Sequence, residues 1–370
     1  MIRVLSVFGT RPEAIKMAPV VHCLRAEPTR FESLVCVSAQ HRAMLDQVLE
    51  VFGIAADHDL DVMTPGQSPG DVVARVLERL PALLREVRPD LLLVQGDTMT
   101  TFAAAFAAYL ERIPTGHVEA GLRTGDRWQP FPEEMNRVLT TRIAALHFAP
   151  TPEARDRLLA EGVPAADVHL TGNTVIDALL ATRRRDYRFR TPALEALDPG
   201  ARIVLVTTHR RESFGAPLRS TCAALRDLVT RFPDIHVVLP VHPNPEVKTT
   251  VEALLCDLPR TSLIEPVDYV EFVHLMDRSY LILTDSGGVQ EEAPSLGKPV
   301  LVLREVTERP EGVAAGTAVV VGTDRERIVD AASTLLSSPD AYARMANAVN
   351  PYGDGHASER IVRAIAARFG

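Results

Sequence analysis

The 370-residue chain is poor in cysteine, in long apolar runs and in surplus positive charge, and each scarcity removes a class of protein. Its four cysteines, Cys23, Cys36, Cys222 and Cys256, stand far apart and form no CxxC pair. That spacing supports neither a zinc site nor a disulfide framework and fits a reducing cytoplasm. No apolar stretch reaches the roughly 20 residues that a membrane helix needs. The short run 4–8 is broken at once by Gly9-Thr10-Arg11-Pro12, so the expectation is a soluble protein, neither exported nor embedded in a membrane. A net charge of −8 gives no basic surface for nucleic acid. Neither G-x-G-x-x-G nor G-x-x-x-x-G-K-[ST] occurs, which excludes a dinucleotide fingerprint and a P-loop. No two histidines have metal spacing with a third ligand nearby, so neither metal nor cofactor is expected.

What is present is a rhythm. Short apolar runs at Ile2–Phe8, 34–38, Leu91–Gln95, Thr115–Val118 and 147–149 alternate with helical patterns, as the strands of a buried parallel sheet do. The rhythm restarts at Arg202–Thr207 and continues through 236–240, 263–265, Leu281–Thr284, 300–303 and 318–321. A chain of this length holds two cores comfortably. The reading is α/β, with two doubly wound domains at 1–175 and 176–357. A closing helix in 358–370 follows from Ile361, Val362, Ile365 and Ala366 at helical spacing. The basic, proline-interrupted stretch 182–199 reads as an exposed connection.

Ligands of such sheets bind at the carboxyl ends of the strands, and several of those ends are polar here. After the run 281–283 come Thr284-Asp285-Ser286 and then Gly287-Gly288, which open a helix. Bare backbone N–H groups at a helix start bind phosphate without a lysine, which points to a nucleotide diphosphate. Glu292, one turn on, could accept hydrogen bonds from a ribose diol. The competing reading makes Ser286 a simple N-cap and the glycines a device for close packing of helix on sheet. After the first strand, Arg11 and Lys16 place two cations against the helix dipole, which suggests an anionic ligand, although either alone is ordinarily solvated. Asp97, Glu119, Glu133 and Glu134 follow the strand ends or open a helix, where they fit acid/base work or serve as caps. His209 and His242 follow strands of the second domain and could donate to phosphate, shuttle a proton or make structural hydrogen bonds.

Nine stretches in order give the chain a resemblance to the non-hydrolysing UDP-N-acetylglucosamine 2-epimerases over essentially its full length. They are 8–19 (Phe-Gly-Thr-Arg-Pro-Glu-Ala-Ile-Lys-Met-Ala-Pro), Ala39-Gln40-His41-Arg42, Gln95-Gly96-Asp97-Thr98, 118–123 (Val-Glu-Ala-Gly-Leu-Arg), 131–137 (Phe-Pro-Glu-Glu-Met-Asn-Arg), 209–214 (His-Arg-Arg-Glu-Ser-Phe), His242-Pro243-Asn244-Pro245, 284–292 and 307–311 (Thr-Glu-Arg-Pro-Glu). The resemblance implies two Rossmann-like domains in a glycosyltransferase-B arrangement with the active site in the interdomain cleft. It also implies a homodimer that interconverts UDP-GlcNAc and UDP-ManNAc for surface polysaccharides, by elimination of UDP to 2-acetamidoglucal and re-addition. Carried over by position, Arg11, Lys16, Phe272, Ser286, Gly287, Gly288, Glu292 and Arg309 would bind the UDP-sugar and His209 would contact its diphosphate. Asp97, Glu119 and Glu133 would be the acid/base candidates. Gln40, Gln67, Glu134, Arg210 and His242 match a second, allosteric UDP-GlcNAc site, whereas Ala43 and Gly66 stand where strongly regulated members carry polar side chains. Val267 replaces a frequent glutamine on the uridine side. The rival readings are a hydrolysing epimerase, a UDP-GlcNAc-dependent glycosyltransferase, and a nucleotide-sugar-binding regulator without turnover.

Overall fold

The structure is a computed structural model that describes residues 1–39, 42–64, 66–210 and 213–370, apart from the side chains of 42–44. Gln40, expected at a second site, therefore lies outside the described residues, as does the side chain of Ala43. The chain forms two compact units, one made of Met1–Ala181 with Tyr352–Gly370 and the other of Thr182–Pro351.

The first unit is built on seven parallel strands: β1 (Ile2–Phe8), β2 (Phe31–Val37), β3 (His58–Asp59), β4 (Leu91–Gln95), β5 (Thr115–Val118), β6 (Leu146–Ala149) and β7 (Val168–Leu170). Their order in the sheet is β3-β2-β1-β4-β5-β6-β7. All five residues of β4 and all four of β5 are buried, because helices cover both faces of the sheet. Helix Met99–Leu110 contributes a face of buried alanines, Ala103, Ala104, Ala105, Ala107 and Ala108, whose small side chains let it lie close among its neighbours.

The second unit repeats the plan with six parallel strands: β8 (Arg202–Thr207), β9 (Ile235–Pro240), β10 (Thr261–Ile264), β11 (Leu281–Thr284), β12 (Val300–Val302) and β13 (Ala318–Val320). Their order is β10-β9-β8-β11-β12-β13, the doubly wound Rossmann order. In each sheet the order reverses once, between β1 and β4 and between β8 and β11, and the loops that diverge there leave a crevice suited to a ligand.

The basic stretch after residue 181 keeps its arginines exposed but is anchored on the second unit. Tyr187 stacks on His274 with ring centroids 3.8 Å apart, Arg183 pairs with Asp277 at 3.0 Å, and the Arg190 and Thr191 N–H groups donate to Glu271 at 2.8 and 2.9 Å. Among the described residues no helix is long and apolar enough to cross a membrane.

Candidate active site

In the first unit the β1 loop and the β4 loop, which flank the reversal of strand order, are tied together by a buried carboxylate. Glu13 Oε2 accepts from the Gly9 and Thr10 N–H groups at 3.1 and 2.8 Å and from the Thr10 hydroxyl at 2.7 Å. Its Oε1 accepts from Thr98 and Thr101 hydroxyls at 2.8 and 3.2 Å. Burial pushes the Glu13 carboxyl above the usual carboxylate range, against the pull of these donors. Its role was not legible in the sequence, since half of its partners lie 85 and 88 positions away.

Asp97 stands at the end of β4 in the same crevice. Arg137 holds its Oδ2 with Nε and a terminal nitrogen, each at 2.8 Å, which leaves Oδ1 as the free acceptor among the described residues. The Asn136 side-chain amide donates to the Asp97 carbonyl at 2.8 Å. His117, buried in β5, has Nε2 at 2.7 Å from the Gly96 carbonyl, so the hydrogen on that nitrogen fixes the turn just before Asp97. Burial drops the His117 pKa to about 3, and the ring stays neutral at physiological pH. Asp97, Glu133 and Gln67 line one cavity of about 360 Å³ with Thr10 and Thr98. The Gln67 side-chain oxygen Oε1 accepts from Thr64 N–H and from Arg75, both at 3.1 Å.

Glu119 follows β5 and sits apart from that cavity's lining. It is buried, with φ of +63°, a left-handed conformation that an L-residue adopts at a cost. Lys16 reaches both of its oxygens at 2.6 Å, Gln95 donates to Oε2, and Asn173 donates to Oε1 at 3.1 Å. Arg11 begins helix Arg11–Arg25 and is half-buried. Glu134 accepts from the Thr124 and Gly125 N–H groups at 3.1 and 3.0 Å and from Arg137 at 3.1 Å, so it braces loop and helix together.

In the second unit the corresponding crevice, at the ends of β8 and β11, centres on Asp285, which is fully buried. Its carboxylate takes the His209 and Arg210 N–H groups at 2.9 and 3.0 Å, the Ser213 hydroxyl at 2.9 Å, and His209 Nδ1 at 2.8 Å. Burial pushes its carboxyl up, but the His209 and backbone donors outweigh that and hold it below the usual range. With Nδ1 engaged, the other ring nitrogen of the half-exposed His209, Nε2, is left for other partners. Ser286 caps helix Gly287–Glu292, and the Arg309 guanidinium lies over the helix start. A Cβ built on Gly287 would fall 3.6 Å from it, and one on Gly288 would meet nothing nearer than 3.7 Å. Packing among the described residues therefore does not demand either glycine, which favours the reading in which they admit a ligand. Glu291 holds Arg309 through Nε, and Tyr269 OH donates to Glu292 at 3.0 Å. Phe272 lies half-buried on helix Tyr269–Arg278. His242 Nδ1 accepts from Asn244 N–H at 3.2 Å, which places the hydrogen on Nε2, and Arg210 pairs with Glu308 at 3.5 Å. Among the described residues no group of three or more His, Cys, Asp or Glu could hold a metal ion.

Two Rossmann-like sheets, each with polar groups gathered where strand order reverses, define a two-domain α/β protein with a ligand crevice of the doubly wound type in each unit. Fold alone is shared with the glycotransferase of kitacinnamycin, with a TM-score of 0.67 at 16% identity over 98% of both chains. The family model for UDP-N-acetylglucosamine 2-epimerase matches residues 23–366. The UDP-N-acetylglucosamine 2-epimerase of Yersinia pestis is 54% identical over 371 residues, covering 98% of this chain and 98% of that protein. UDP-GlcNAc 2-epimerase from Neisseria meningitidis, solved bound to UDP-GlcNAc, matches with a TM-score of 0.89 and 46% identity over 98% of this chain and 99% of that one. The chain belongs to the UDP-N-acetylglucosamine 2-epimerase family.

Proposed function

We propose that the chain inverts C2 of UDP-GlcNAc reversibly to give UDP-ManNAc, without net hydrolysis. The C2 hydrogen adjoins no carbonyl and is not acidic, so direct removal by a carboxylate carries too high a barrier. Departure of UDP from C1 builds positive charge at the anomeric carbon and acidifies the neighbouring hydrogen. Loss of that hydrogen gives 2-acetamidoglucal and UDP, and re-addition of UDP with protonation on the opposite face gives the epimer. The observation that carries the proposal is the half-free carboxylate of Asp97, with Oδ2 clamped by Arg137 and Oδ1 available in a cavity that Glu133 shares. Asp97, Glu133 and Glu119 are the acid/base groups of this scheme.

The second unit supplies the other half of the chemistry. The open start of helix Gly287–Glu292, Arg309 and His209 Nε2 bind the diphosphate more tightly as charge develops on it. Ser286, Gly287 and Gly288 meet the phosphates and Glu292 the ribose, and Phe272, Arg11 and Lys16 complete the contacts to the UDP-sugar. Turnover in D2O should place deuterium at C2 of both sugars. Epimers free of deuterium at C2 would refute elimination, and free UDP accumulating with N-acetylmannosamine would mark a hydrolase instead.

The same family reading makes the enzyme a cytoplasmic homodimer that feeds surface polysaccharide synthesis. It also gives Gln40, Gln67, Glu134, Arg210 and His242 to a second, activating UDP-GlcNAc, which the position of Gln67 in the Asp97 cavity supports. Initial rates from UDP-ManNAc should rise on adding a trace of UDP-GlcNAc; equal rates would remove the activation.

A further inference from the structure

We infer that Glu13, a residue that touches no part of the proposed chemistry, is the positioning residue for Asp97. Its side chain is buried to 1% exposure, where an ionisable group is costly unless its hydrogen bonds are worth keeping. Those bonds divide cleanly between its two oxygens. Oε2 serves the β1 loop through Gly9 and Thr10, and Oε1 serves the β4 loop through Thr98 and Thr101. Thr98 adjoins Asp97 and also caps helix Met99–Leu110 by accepting the Thr101 N–H at 3.1 Å. One carboxylate thus sets the spacing between the loop that leads into Arg11 and the loop that presents Asp97. Helix and sheet alone leave that spacing to two turns.

The inference rests on Asp97 being an acid/base group, so the test separates the two claims. In Glu13→Gln the amide oxygen can keep the Gly9 and Thr10 N–H donors, while its NH2 reverses the bonds to Thr98 and Thr101, whose hydroxyls must then accept and lose their charged partner, so the Asp97 side alone is loosened. The expected result is a kcat lower by about ten- to a hundredfold, the scale of a misplaced catalytic group, with UDP affinity and KM within twofold. Because the loss passes through Asp97, Glu13→Gln added to Asp97→Asn should cost nothing further. Losses that multiply in the double variant would overturn the positioning role and leave the Asp97 reading intact. A fully active Asp97→Asn variant would instead overturn the reading itself, and the inference with it. A second pair serves where Glu13→Gln fails to fold. Thr98→Val should reproduce the fall in kcat and Thr98→Ser, which retains the hydroxyl, should restore it. A folded Thr98→Val enzyme at full kcat, or equal losses in both Thr98 variants, would refute the role.

Discussion

Gly288 and Gly121 both follow a strand, yet the space around them differs. At Gly121, φ is +92° and a Cβ would fall 2.3 Å from the Ala154 carbonyl oxygen, so the fold itself excludes a side chain. At Gly288 the nearest atom is 3.7 Å away, and the residue lies inside a helix, where alanine is better by about 0.5–1 kcal/mol. Gly288→Ala should therefore leave the melting temperature unchanged or raise it, while UDP affinity falls. Calorimetry of the free and UDP-titrated variant reads both quantities, and unchanged affinity would return this glycine to the packing reading. Asp285 makes the opposite case. Its four donors hold the His209 loop, and an amide in its place would turn an NH2 group towards N–H donors. Asp285→Asn should cost about 1.5–3 kcal/mol, the worth of a hydrogen bond to a charged group, and should weaken UDP binding as well. A loss of stability with full UDP affinity would limit Asp285 to the fold.

At the scale of elements, β1, β4, β5, β8 and β11 were legible in the sequence to the residue, because strands covered on both faces read as short runs rich in apolar and β-branched residues. The two strands not foreseen, β3 and β7, are edge strands of two and three residues with no buried position. The site was legible as strand ends bearing acids and histidines. The loop-tying carboxylates Glu13 and Asp285 were not, because what they do depends on partners 72 to 88 positions distant. The same limit hides the state of His117 and His147, which face one another across β5 and β6. Burial lowers their pKa values from 6.5 to about 3 and about 4. An unfolded histidine takes its proton as pH falls through 6.5 and these two do not, so the stability they contribute above pH 6.5 is lost progressively below it. Each contributes a slope of about 1.4 kcal/mol per pH unit down to its folded pKa. Glu13 and Asp177 are shifted upward by burial and act in the other sense at lower pH, so a variant is needed to isolate one histidine. Denaturant titrations at pH 6.5 and 5 should show His147→Phe with a slope smaller than wild type by about one proton. An unaltered slope would mean that His147 titrates normally.

For the whole molecule, the decisive feature is the return of Tyr352–Gly370 to the first unit. Helix Ala357–Phe369 buries Ile361, Val362, Ile365 and Ala366 and belongs to the first unit, against helix Arg11–Arg25. Its start is fixed by Asp177, which accepts the Ala357 and Ser358 N–H groups at 3.2 and 2.8 Å. Just before it, the Tyr352 carbonyl accepts the Asn173 N–H, and the Asn173 side chain holds Glu119. The first unit is therefore complete only after the second has been synthesised, and both the docking of Arg11–Arg25 and the hold on Glu119 depend on the last 19 residues, Tyr352–Gly370. Ile365→Ala removes a fully buried side chain from that contact and should cost about 2–5 kcal/mol. Hydrogen exchange should then show faster opening in β1 and Arg11–Arg25, with β8 and β9 as protected as in the wild type. Equal loss of protection in both sheets would show instead that the molecule opens as one cooperative body, and that the closing helix stabilises the second unit as much as the first.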